Sequence, residues 1–117
     1  MNDPNYVNGT VELMLLAVID EGPSYGYEIT QSVLSRSGGR FDLKEGSLYP
    51  ALHRLERSKL LQSYWTEYDG RRRKYYKLTP SGRKALASRR SEWQSFSEGV
   101  RGVLGLESSR VSGGLVV

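Results

Sequence analysis

Cysteine is absent from this 117-residue chain, and histidine occurs once. The missing cysteine excludes a disulfide framework, a thiolate nucleophile and a cysteine-based zinc site. A lone histidine, His53, cannot make a metal site, and with scattered carboxylates it supplies no constellation of acid, base and nucleophile. Neither an enzyme, nor a cofactor, nor a bound metal is therefore expected. Long apolar runs are also missing. The longest, residues 13–19, is too short to span a bilayer, and residues 1–8 are polar with no basic region ahead of an apolar stretch. A soluble, unexported, cytoplasmic protein with no membrane contact is expected.

What is present is globular: 38% of residues are hydrophobic and 26% charged. A core is possible in a chain of this size but not a large one, so a partner subunit could supply missing burial. The formal net charge of +4 hides a strong asymmetry. Residues 1–53 carry 3 Lys/Arg against 7 Asp/Glu, residues 54–90 carry 12 against 3, and residues 91–117 carry 2 against 3. A block of one sign suits a polyanion. Nucleic acid is favoured over an anionic membrane, because the basic block is interleaved with turns and β-formers and does not read as one amphipathic helix.

The hydrophobic spacing predicts a helix capped by Thr10 and running over residues 11–20, with Val11, Met14, Leu15, Val18 and Ile19 on one face. Gly22-Pro23 stops it. Ser24 offers the cap of a second helix to about Ser35, ended by Gly38-Gly39. A third is expected over residues 47–58 on the stripe Leu48, Leu52, Leu55, with Pro50 in its first turn. Two runs of β-formers, residues 61–68 and 71–78, flank Asp69-Gly70, a strong hairpin signal. Thr79-Pro80 then caps and opens a fourth helix. Its apolar positions Leu86, Trp93, Phe96, Val100 and Val103 recur in steps of three, four and seven, the pattern of a seam against another helix.

The order helix, helix, helix, hairpin, helix is that of a mainly α winged helix-turn-helix with a small β-hairpin and an added C-terminal dimerisation helix. The segments Gly9-Thr10 with Leu13, Gly22 to Ile29 (GPSYGYEI), Gly46 to Glu56 (GSLYPALHRLE) and Arg72 to Gly82 (RRKYYKLTPSG) resemble the PadR family of bacterial transcriptional regulators. The resemblance covers roughly residues 9–104 and is closest to the short subgroup with one C-terminal helix. It implies a homodimeric repressor, held chiefly by the last helix, that presents two recognition helices and two wings to a double-stranded operator. One departure is Lys59, where relatives usually carry glycine, which puts in question the cap at the end of the third helix.

Four regions follow: an N-terminal extension over 1–8, the DNA-binding domain over 9–79, the dimerisation helix over 80–105 and a loosely ordered tail over 106–117. Ser47, Tyr49, Pro50, His53, Arg54 and Arg57 fall off the core stripe of the third helix and are expected at the major groove. Arg71, Arg72, Arg73 and Lys74 are expected to grip backbone or minor groove, although strand alternation puts Arg71 and Arg73 on one face and Arg72 and Lys74 on the other. Tyr25, Tyr27, Tyr75 and Tyr76 are assigned to packing. Leu86, Trp93, Phe96, Val100 and Val103 are expected at the dimer interface. Family resemblance adds a sharper role for Trp93, lining a cavity for a small aromatic effector that would relieve repression. The rival reading, a winged helix serving as a protein-interaction module without specific DNA binding, would call for an apolar exposed face where this chain is cationic.

Overall fold

The computed structural model describes residues 4–106. Its elements are α1 (Pro4–Ile19), β1 (Ser24–Tyr25), α2 (Gly26–Arg36), α3 (Glu45–Arg57), β2 (Leu61–Tyr68), β3 (Arg71–Leu78) and α4 (Pro80–Leu104). The tail expected to be loosely ordered lies, from residue 107 onward, outside the described residues. The chain divides after Leu86 into two compact units.

In the first unit α1 packs on α2 and α3, and α3 packs on β2. Leu15, Leu16, Ile19, Ile29, Leu48, Leu52, Leu55 and Leu61 are essentially removed from solvent, each worth about 1.5–3 kcal/mol relative to an exposed side chain. The sheet has the order β1-β3-β2 and is antiparallel throughout. The hairpin falls where the sequence places it, and Asp69 and Gly70 both have positive φ (56° and 76°), as a type I′ turn requires.

Several boundaries differ from expectation. The first helix begins at Pro4, so residues 4–8 are helical rather than an extension, and Thr10 lies inside the helix instead of capping it. A proline at the first helical position costs nothing there, and Gly9 alone does not break the run. Ser24 does not cap α2. It pairs in β1 with Tyr76 of β3, Tyr25 takes the cap position without a side-chain bond, and the Ser24 hydroxyl donates to Glu28 Oε1 at 3.1 Å. A two-residue strand is too short to show a period of its own. α3 starts two residues early, which moves Pro50 out of the first turn and into the helix.

Three of the four described helices end with one device. After α2, the Gly38 amide donates to Ser35 O (3.1 Å) and the Gly39 amide to Leu34 O (2.8 Å). After α4, Gly105 donates to Gly102 O (3.2 Å) and Leu106 to Arg101 O (2.9 Å). After α3, Lys59 donates to Glu56 O and Leu60 to Leu55 O, both at 2.9 Å. All three are Schellman caps, whose first residue past the cap must take positive φ. Gly38 and Gly105 do so at 65° and 78°, and Lys59 does so at 66° with a side chain attached. The cap geometry at the departure from the family pattern is thus kept, at the cost of a strained lysine. Its carbonyl is held by the Thr79 hydroxyl (2.8 Å), which in turn accepts the Gly82 amide (2.9 Å) and caps α4 as the Thr-Pro pair predicts.

Leu86, expected in the seam of α4, is only 3% exposed and belongs to the core of the first unit. The heptad spacing runs continuously along the helix, but its first apolar residue is already covered by this chain. In the second unit, from Ala87, the helix carries Trp93, Phe96, Val100, Val103 and Leu104 exposed.

Candidate nucleic-acid interface

An α-helix turns 100° per residue, which divides α3 cleanly. Leu48, Ala51, Leu52 and Leu55 are buried, and Gly46, Ser47, Tyr49, Pro50, His53 and Arg57 are exposed over the remaining arc. The carboxylates of this helix, Glu45 and Glu56, fall outside that arc, and Glu56 is occupied by the hydroxyl of Ser63 on β2. Pro50 has no amide to offer the Gly46 carbonyl, so a helix acceptor is left on the exposed arc.

Two members of the expected set are engaged elsewhere. Arg54, at the margin of the arc, donates its Nε to Glu12 Oε2 of α1 at 2.7 Å, and the side chains are 35% and 15% exposed. Sequence spacing placed Arg54 off the core stripe but could not show that α1 passes beside it. The ring of Tyr49 lies against α2: a Cβ placed on Gly26 would come within 2.5 Å of the Tyr49 hydroxyl and 3.2 Å of Cζ. Its hydroxyl is therefore turned back towards the start of α2, leaving the ring's other edge exposed.

Directly opposed residues of an antiparallel pair share a face, and the register separates the wing accordingly. One face carries Leu61, Ser63, Trp65 and Glu67 opposite Leu78, Tyr76, Lys74 and Arg72. The other carries Gln62, Tyr64, Thr66 and Tyr68 opposite Lys77, Tyr75, Arg73 and Arg71. On this second face Tyr25, Tyr75 and Tyr64 form a continuous row, with ring centroids 5.4 and 5.8 Å apart. Arg73 lies over Tyr25 (4.5 Å) and Lys77 over Tyr64 (5.9 Å). On the first face Arg72 lies over Trp65 (4.5 Å) and Lys74 over Tyr76 (5.6 Å). The four cations of the arm are thus not equivalent: Arg71 and Arg72 are exposed, and Arg73 and Lys74 are half-buried.

The tyrosines assigned to packing also separate. Tyr76 is buried, Tyr25 and Tyr75 are half-buried, and Tyr27 is 66% exposed, so it is no core residue. Burial, then Glu56, then Tyr49 push the Tyr76 hydroxyl above its ordinary pKa. Trp65, 56% exposed, was not singled out from sequence. The available signal was its place opposite Lys74, legible once the hairpin register is drawn.

Residues 15–88 match the transcriptional regulator PadR-like family. The chain belongs to that family. A transcriptional regulator of Mycobacterium tuberculosis is 38% identical over 109 residues, covering 93% of this chain and 96% of that protein. A solved transcriptional regulator from Clostridium thermocellum superposes with a TM-score of 0.73 at 34% identity, covering 86% of this chain and 95% of the other. A PadR family regulator from Eggerthella lenta gives 0.71 at 33% identity, covering 82% of each chain. This PadR-like chain is accordingly a winged-helix transcriptional regulator, with α3 in the recognition position and β2–β3 as its wing. Among its described residues, no helix is long and apolar enough to cross a membrane.

Proposed function

We propose that this PadR-like regulator is a cytoplasmic homodimeric repressor that occludes a promoter by binding a pseudo-palindromic operator. Ser47, Tyr49, Pro50, His53 and Arg57 meet the major groove, and the wing meets the flanking backbone and minor groove. The observation that carries this reading is the exposed arc of α3, free of carboxylates, beside a hairpin with four successive cations. Such a surface fits phosphates and base edges. Repression is the mode that family membership suggests.

The dimer reading rests on the spacing of Trp93, Phe96, Val100 and Val103 and on their exposure, Val103 reaching 89%. A second copy of the same helix is the cover that heptad spacing suits. Arranged this way, Trp93 of each protomer would line the place where a small aromatic effector binds and relieves repression.

Selection of bound fragments from a random duplex pool, with the full chain, tests the proposal. Enrichment of an inverted repeat, with half-sites about 10 base pairs apart or a multiple of that, is the expected result. Fragments without two-fold symmetry, or no enrichment over input, would refute it. Sedimentation at micromolar concentration should give a dimer, and Val103→Glu together with Phe96→Glu should give a monomer with weaker operator binding.

A further inference from the structure

The cations of the wing differ in what they are free to do. Arg73 is half-buried and laid on Tyr25, itself half-buried, so this charge is drawn down onto its own sheet, whereas Lys77, over Tyr64, is exposed. Arg72 is exposed, and so is the indole beneath it. Although Glu67 stands directly opposite Arg72 in register, the guanidinium makes its contact with Trp65, a diagonal neighbour on the same face. This pair also lies on the face shared with Leu61, Tyr76 and Leu78, the side of the sheet from which Ser63 reaches α3 through Glu56.

An exposed arginine ordinarily samples many rotamers and loses that freedom when it binds. A guanidinium already stacked on an indole has lost part of it beforehand and keeps its N–H edges free for hydrogen bonding, because stacking uses only the flat face.

We infer that Arg72, held by Trp65, is the wing's DNA-inserting residue, that Trp65 is its positioning residue, and that Arg73 on the opposite face serves the sheet. This rests on the operator-binding reading above and assigns which wing face carries it.

The test is a salt titration of operator binding by the full chain and its variants, on a fragment recovered by the selection described above. Arg72→Ala should lower affinity about tenfold and flatten the slope of log affinity against log salt, because a cation is removed. Trp65→Leu should lower affinity about two- to fivefold and leave that slope unchanged, because the charge stays and only its placement is lost. Trp65→Phe, which keeps a ring under Arg72, should recover most of the loss. In the Arg72→Ala background, Trp65→Leu should have no further effect, since it acts through that residue. Arg73→Ala should change affinity less than twofold, with any cost appearing in thermal melting.

A larger loss at Arg73 than at Arg72 would overturn the assignment. Additive losses at Trp65 and Arg72, or a Trp65→Phe variant no better than Trp65→Leu, would overturn the positioning role. Failure of the unaltered chain to select any duplex would instead refute the operator-binding reading itself.

Discussion

Glu12 of α1 accepts a hydrogen bond from Arg54 of α3 at 2.7 Å, with the carboxylate largely covered by protein. The contact spans 42 residues and fixes α3 against α1 from its exposed margin. It makes Arg54 a structural cation in a helix whose other arginine, Arg57, is exposed.

The two arginines should therefore separate in experiment. Arg54→Ala should destabilise the fold by about 1–2 kcal/mol, because a part-buried carboxylate loses a charge-assisted partner, and should leave the salt slope of DNA binding as it was. Arg57→Ala should do the reverse: little change in urea denaturation and a shallower slope. A flattened slope for Arg54→Ala would return it to the phosphate contacts.

Tyr49 and His53 sit one turn apart on α3, and the Tyr49 ring packs against the start of α2, whereas His53 is exposed. Tyr49→Ala should cost about 1–2 kcal/mol of stability through the lost ring contact at Gly26 and should also weaken operator binding. His53→Ala should leave melting unchanged and weaken operator binding more than binding to random duplex. Equal losses on both DNAs would reduce His53 to a backbone contact.

Lys59 holds a left-handed φ of 66° where the caps after α2 and α4 use glycine. Lys59→Gly should stabilise the protein by about 0.5–1 kcal/mol, the relief of strain exceeding the added freedom of the unfolded chain. Lys59→Ala keeps the strain and should give no such gain, so comparing the two melting curves isolates the backbone contribution.

Tyr76 predicts an alkaline loss of stability. Its pKa in the folded protein is raised from 10.0, first by burial and then by Glu56 and Tyr49. The unfolded chain therefore gives up this proton first as pH rises, so the folded state binds more protons and stability falls. The contribution is intact below about pH 10 and is lost as pH climbs towards the raised folded value. Thermal denaturation between pH 8 and 11 should show a smaller stability advantage of the unaltered chain over Tyr76→Phe at the alkaline end. A constant difference would refute this.

Local chemistry made much of this molecule legible from its sequence. The Asp-Gly turn and its flanking β-formers gave both hairpin strands, Thr79-Pro80 gave the start of α4, and the leucine stripe of α3 gave its buried face, because each depends on neighbours a few residues away. What only the tertiary structure decided involves residues far apart in the chain. β1 exists because β3 offers Ser24 and Tyr25 an edge, although two residues carry no pattern. Arg54 is drawn from the exposed arc because Glu12 arrives beside it, and Leu86 is taken from the seam because the first unit's core reaches that far along α4. Strand alternation separated the arm's cations into two faces, but which of them lie on tyrosines and which stands on an exposed indole depended on register and packing. Periodicity reports which side of an element is apolar, whereas the side chain waiting on that side is set by the fold.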